Sequence, residues 1–249
     1  MIRTQRIVFG LVAVLAAAFG IDVLLARIAI VYVQATDAVR LDPGGLKVYS
    51  ENRAKEDDGG LPVLELFGDS RAAMWTEPPN VPGYRVANRG IARQTTAQLL
   101  LRFDDDVTAL HPAVVVFEGG INDLKTIAEF PERRAEILAD CKANLTTIVA
   151  RSRRAGAQVV LLTIFDVGDV PLWRRPFWST DVEAAVREVN AFLPQLTNDK
   201  VILLDANSAL EAGPGQIRHE FQLDYLHLTA AGYAALSAQL VPLVSSLPR

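Results

Sequence analysis

Beyond residue 60 the chain alternates short apolar runs with longer amphipathic stretches. Five runs read as strands: Leu61–Phe67, Arg85–Ala87, Ala113–Glu118, Gln158–Ile164 and Val201–Leu204. Two of them contain VVVF and VVLLTIF, apolar stretches without polar alternation. A strand with one wet face alternates, so these fit a parallel sheet covered on both sides. Stretches near 94–110, 131–155, 180–196 and 229–246 read as helices, the last two announced by the N-cap candidates Ser179-Thr180-Asp181 and Thr229. Pro112 stands just ahead of a strand and Gly156 just behind a helix, both where a break is wanted. The alternation predicts the α/β class, a three-layer α/β/α sandwich with a five-stranded parallel sheet, as one domain over residues 61–249.

The front of the chain has a different pattern. Residues 7–33, IVFGLVAVLAAAFGIDVLLARIAIVYV, are broken only by Asp22 and Arg27. As a helix this run extends roughly 40 Å, more than the ~30 Å hydrocarbon core of a bilayer, so both charges reach toward the far interface. Residues 1–40 therefore read as an N-terminal signal anchor or transmembrane helix, the alternative being a signal peptide cleaved at Ala16-Ala17-Ala18. Cleavage there leaves VLLARIAIVYV at the new terminus for a soluble domain to hide, which favours the anchor. Arg3 and Arg6, with no acid before the run, favour a cytoplasmic amino terminus and an extracytoplasmic remainder. Residues 41–60, which include DPGGLKVYSENRAKEDDGG, have no helical or strand period and read as a linker.

Composition sharpens this division. Half of the 249 residues are apolar and the mean hydropathy is +0.20, which excludes a disordered chain. A single cysteine excludes a disulfide framework and a cysteine-rich zinc site. Residues 1–40 hold four cations (Arg3, Arg6, Arg27, Arg40) and two anions (Asp22, Asp37). Without them the 25 Lys+Arg and 29 Asp+Glu of the chain become 21 and 27, and the net charge moves from −4 to −6. No basic stripe remains to neutralise phosphates, which argues against nucleic acid as a partner.

Ligands of open parallel sheets gather at the carboxyl ends of the strands. The polar residues there are Gly68-Asp69-Ser70, Asn88-Arg89-Gly90, Gly119 to Asp123, Asp166 and Asp205. Ser70 stands between a strand and a helical stretch, where free helix N–H groups help a nucleophile by stabilising developing negative charge. Of the three histidines, His227 alone follows an aspartate by three residues at a helix start; His111 and His219 read as structural. Asp69 reads as a brace of the turn, Asp123 as structural, and the Asp104-Asp105-Asp106 run as a solvated face.

Four segments, in order, resemble the conserved blocks of the SGNH, or GDSL-type, hydrolases. LFGDSRAAMW resembles the first, with Arg71 where the leucine of the name usually falls. NRGIARQTT resembles the second, GGIND the third, and LDYLHLTAAGY the last. The resemblance runs from about residue 62 to 245 and implies a flavodoxin-like sandwich and a serine esterase that needs neither metal nor cofactor. It implies Ser70 as nucleophile, His227 as general base, Asp224 as the group orienting it, and an oxyanion hole from the Ser70 N–H, the Gly90 N–H and the Asn122 amide. Gly90 is also expected to supply a positive φ and close approach of the substrate. The substrates implied are acyl or acetyl esters of small molecules, lipids or polysaccharides.

Two rivals accompany this reading. Gly68-Asp69-Ser70-Arg71-Ala72 is one residue short of the nucleophile elbow of α/β-hydrolases, although in that fold several strands precede the serine. The other rival is a catalytically silent ligand-binding domain on the same fold. Substrate choice is less constrained. Arg71 is a candidate for an anionic substrate group or for a nearby carboxylate. Trp173, in FDVGDVPLWRRPFWST with Phe177, Trp178, Arg174 and Arg175, is a candidate for a lid, a membrane or sugar contact, or plain loop packing.

Overall fold

The structure, a computed structural model, describes residues 2–50, 60–213 and 215–248. It divides into two compact units, Met1–Pro43 and Gly44–Arg249. The first is the helix α1, Ile2–Leu41. Its Phe9–Leu41 stretch has a hydropathy of 2.4 and no burial, long and apolar enough to cross a membrane, a test that a signal sequence also passes.

The second unit contains, in chain order, β1 (Val63–Gly68), α2 (Ser70–Ala73), β2 (Arg85–Gly90), α3 (Thr96–Leu101), β3 (Val114–Glu118), α4 (Ile121–Leu124) and α5 (Arg134–Arg154). There follow β4 (Gln158–Leu162), α6 (Asp181–Phe192), β5 (Val201–Leu204), α7 (Ala206–Leu210), β6 (Glu211–Gly213), β7 (Gln216–Ile217) and α8 (Ala230–Ser245). Strands β1 to β5 form one parallel sheet in the order β2-β1-β3-β4-β5, and β6 and β7 a small antiparallel hairpin. The five expected strands are all present, with ends shifted by up to three residues.

Successive side chains of a strand point to opposite faces, so each continuous apolar run feeds two cores. Phe67, Val115, Phe117, Val159 and Leu161 pack with Leu99 of α3, Leu145 of α5 and Val186 of α6. Leu64, Leu66, Val114, Val116 and Val160 pack on the other face with Leu210 of α7 and Leu236 and Leu240 of α8. The result is the three-layer α/β/α sandwich. Caps mark the helix ends: Thr95 and Gln98 form a capping box on α3, and Thr229 Oγ1 accepts from Gly232 N–H at the head of α8.

Two expectations change. Part of the stretch read as linker belongs to the second unit, because Gly44 and Gly45 are buried there, while residues 51–59 lie outside the described residues. The aspartate run is not uniformly solvated: Asp106 is 1% exposed and pairs with the buried Arg102 at 2.9 Å. It lies in a π-turn, Asp104–Thr108, that widens the helical stretch after α3 and directs Asp106 inward.

Candidate active site

The strand order puts β1 between β2 and β3, with Gly68 in register with both Gly90 and Glu118. The residues that follow these strand ends therefore share one edge of the sheet. There the chain turns from β1 into α2 within one residue. Asp69 makes the turn, its Oδ1 accepting from the Arg71 N–H at 2.9 Å, as a brace should. Ser70 is then the first residue of α2, 8% exposed, among N–H groups that have no intrahelical acceptor. The backbones come very close. A Cβ on Gly90 would stand 2.1 Å from Ala73 N, and one on Gly68 2.0 Å from the Glu118 carbonyl oxygen. Gly90 does not adopt a positive φ, so what requires glycine there is the approach of α2, not backbone handedness.

The last block folds back on itself. Asp224 Oδ1 accepts from the N–H groups of Leu226 at 2.7 Å and His227 at 2.8 Å, and the Leu223 N–H donates to the His227 carbonyl at 2.9 Å. This turn explains the three-residue spacing, because it brings the aspartate to its own histidine. His227 Nδ1 lies 2.8 Å from Asp224 Oδ2, and His227 Nε2 lies 3.0 Å from Ser70 Oγ. With Nδ1 protonated toward the carboxylate, Nε2 is left as the acceptor for the serine hydroxyl. Partial burial pushes the Asp224 carboxyl up, but the hydrogen bonds from His227 and the Leu226 N–H outweigh it and hold it below its usual range.

Asn122, in α4 and 4% exposed, donates through Nδ2 to the Gln94 carbonyl at 3.1 Å. The Gly90 N–H is engaged as well, donating to Asn88 Oδ1 at 2.9 Å. Asp123 ties α4 to the start of α3, accepting from the Thr96 N–H at 2.9 Å and from Thr96 Oγ1 at 2.6 Å, a structural role. Burial raises its pKa to about 6.

Arg71 is not placed to meet a substrate. It is 1% exposed, stacks 3.6 Å from the Phe165 ring centroid, and donates to the carbonyls of Leu226 at 3.0 Å and Phe165 at 2.9 Å. It thereby joins α2, the strand-β4 exit and the His227 turn. Its neighbour Glu118 is 3.7 Å away, too far for a hydrogen bond. Burial, followed by the adjacent Asp69 carboxyl, drives Glu118 well above the usual carboxylate range, and burial raises Asp69 too. Burial thus favours the protonated form of both carboxyls, the more strongly at Glu118.

Sequence reasoning missed Gln94, Arg102 and Tyr49, which hold the site from below. Gln94 Oε1 accepts from Arg102 Nε at 2.6 Å, and Gln94 Nε2 donates to the Gly44 carbonyl at 2.9 Å. Arg102 Nη2 donates to the Gly68 carbonyl at 2.9 Å, just before the nucleophile turn. The signal available was an arginine inside the apolar stretch LLLRF, where a charge must find partners. Trp173 is 71% exposed and, among the described residues, has no hydrogen bond or ring contact with Ser70, Asp224 or His227.

An α/β sandwich with a serine, histidine and aspartate at the strand ends defines a hydrolase-like class, and the comparisons specify which. The family model "GDSL-like Lipase/Acylhydrolase family" matches residues 66–235, and the chain belongs to that family. The nucleophile-elbow alternative falls, since among the described residues Ser70 follows the first strand of the sheet. The chain is 28% identical over 162 residues to the human platelet-activating factor acetylhydrolase IB subunit alpha2, covering 64% of each chain. It thus spans less than two thirds of that relative's length. A GDSL-like lipase from Bacteroides thetaiotaomicron superposes with a TM-score of 0.64 at 23% identity, covering 81% of this chain and 98% of that one. An acetylxylan esterase from Geobacillus stearothermophilus superposes with a TM-score of 0.56 at 20% identity, covering 74% and 94%.

Proposed function

We propose that the protein is a serine ester hydrolase, tethered by α1 to a membrane with its second unit on the extracytoplasmic side. The observation that carries the reading is the relay from Ser70 Oγ through His227 to Asp224, at 3.0 and 2.8 Å. Ser70 Oγ attacks the ester carbonyl as His227 Nε2 takes its proton; the imidazolium is stabilised by Asp224 and returns the proton to the leaving alcohol. Water then repeats the sequence on the acyl-enzyme and frees Ser70. The oxyanion is met by the Ser70 N–H and the Asn122 amide, whose second N–H remains after the bond to Gln94. Gly90 joins as a third donor when its N–H exchanges Asn88 for the oxyanion. Membership of an acylhydrolase family and relatives named as an acetylhydrolase and an acetylxylan esterase support short acyl or acetyl groups as the part removed.

The test is hydrolysis of p-nitrophenyl acetate and butyrate, with acetylated xylo-oligosaccharide and lysophospholipid alongside, by detergent-purified full-length protein and its Ser70→Ala variant. Hydrolysis by the wild type that falls at least 100-fold in the variant is the expected result. Equal rates in the two proteins end the serine mechanism, and a wild type silent on every ester favours a ligand-binding role.

A further inference from the structure

The loop between β4 and α6 plays no part in the proposed chemistry, and the structure sorts its side chains into two sets. Trp178 packs inward: its ring meets Tyr225 edge-on at 5.3 Å and its Nε1 donates to Glu183 at 2.8 Å. Leu172, Trp173 and Phe177 point into solvent, 76%, 71% and 63% exposed. The backbone beneath them is ordered by hydrogen bonds. The Arg174 N–H donates to the Pro171 carbonyl and the Phe177 N–H to the Arg174 carbonyl, both at 2.9 Å. Arg174 Nε donates to the Tyr225 hydroxyl at 3.0 Å, and Tyr225 is the residue after Asp224. The turn is thus fastened to the segment that carries His227.

Three large apolar side chains held together in water by a fixed scaffold are unusual for a soluble surface, which scatters such residues singly. Charge identifies what covers them. Residues 170–178, VPLWRRPFW, contain two arginines and no acid in a chain of net charge −4. Tryptophan and phenylalanine beside arginine is the composition of a membrane-interface contact, with rings among the upper acyl carbons and cations at the phosphates.

We propose that the turn over residues 171–177 is an interfacial docking patch, which inserts Leu172, Trp173 and Phe177 into an anionic lipid surface beside the active site. The proposal takes from the proposed function only that α1 brings the chain to a bilayer. It does not depend on Ser70 chemistry.

The three tryptophans of the chain, Trp75, Trp173 and Trp178, all lie outside α1, and Trp75 is buried, so emission reports on the second unit alone. Full-length protein is reconstituted into vesicles of phosphatidylcholine and phosphatidylglycerol whose acyl chains carry bromine, a contact quencher, and vesicle flotation at alkaline pH is read in parallel. Bromolipid is expected to quench about a third of the emission. Trp173→Phe removes that fraction, while Arg175→Glu or replacement of phosphatidylglycerol by phosphatidylcholine reduces it several-fold. Emission unaffected by bromolipid, quenching retained by Trp173→Phe, or equal quenching in the neutral lipid overturns the proposal. Flotation without quenching rejects the patch and spares the anchor, whereas quenching without alkaline-resistant flotation rejects the anchor and spares the patch. Ser70→Ala is expected to quench like the wild type, so failure of the esterase reading stays distinguishable.

Discussion

The Tyr49 hydroxyl donates to the Gly90 carbonyl at 2.6 Å, tying the segment just before residue 51 to the strand end beside the nucleophile. The Arg89 guanidinium lies 4.6 Å over the same tyrosine ring, and Gln94 holds Gly44, so residues 44–49 brace the loop that bears Gly90, one group of the proposed oxyanion hole, and Gln94, whose carbonyl accepts from Asn122. Tyr49→Phe keeps the ring beneath Arg89 and removes the hydroxyl alone. The loss of one half-buried hydrogen bond is about 1 kcal/mol. If that bond positions Gly90, kcat falls several-fold with KM unchanged; steady-state kinetics on p-nitrophenyl acetate decide, and a change in KM alone refutes a positioning role.

Asn122 is a sharper case, because its amide has a structural bond and a proposed catalytic one. Removal of the bond to Gln94 costs about 1 kcal/mol of stability, whereas removal of an oxyanion donor costs roughly 100- to 1000-fold in kcat. Asn122→Ala is therefore expected to keep its thermal midpoint within a few degrees and lose turnover. A variant as active as the wild type would take Asn122 out of the hole.

The contrast between Asn122 and Gln94 shows what a sequence discloses here. Ser70, Asn122, Asp224 and His227 stood out as candidates because the segments that carry them resemble the blocks of one family in order, with Ser70 and Asn122 after strand ends and Asp224 three residues before His227. The strands were legible because runs such as VVVF have no alternative to burial. Short pieces were not: α2, α4 and α7 have four or five residues each, too few to display a helical period. Nor was the support beneath the site. Arg102 reaches the carbonyl of Gly68, 34 residues away, and Tyr49 reaches Gly90 across 41, pairings that no local pattern encodes. Arg71 was left between two readings for a related reason. Its position beside the nucleophile suggested a substrate anion or a nearby carboxylate, whereas Glu118 at 3.7 Å and the carbonyls of Phe165 and Leu226, which fix its direction, come from distant parts of the chain.

Glu118 offers a test of which carboxyl under the nucleophile carries the proton. Burial favours the neutral acid at Glu118, and Glu118→Gln then replaces an acid by its isostere and changes stability by less than about 1 kcal/mol. Were Glu118 the charged partner of Arg71, the same change would strand a buried guanidinium and cost roughly 3–5 kcal/mol. Urea denaturation at pH 7 separates the two outcomes.

Asp123 makes the corresponding prediction in pH. Its two oxygens accept from Thr96, which favours the anion, yet burial is the larger influence and lifts the pKa to about 6 from an ordinary 3.8. A carboxyl whose folded pKa is raised contributes fully below the unfolded pKa, where both states are protonated, and that contribution is lost as pH rises through the folded value. The window therefore runs from about pH 4 to about pH 6, and a shift of this size corresponds to on the order of 3 kcal/mol. Asp123→Asn cannot titrate, and other groups cancel in the comparison, so the stability of the variant relative to the wild type should rise by that amount between pH 4 and pH 7. Denaturant midpoints collected across this range provide the check; a difference that stays flat would mean that Asp123 ionises like an exposed carboxyl and that α3 and α4 are joined by an ordinary charged hydrogen bond.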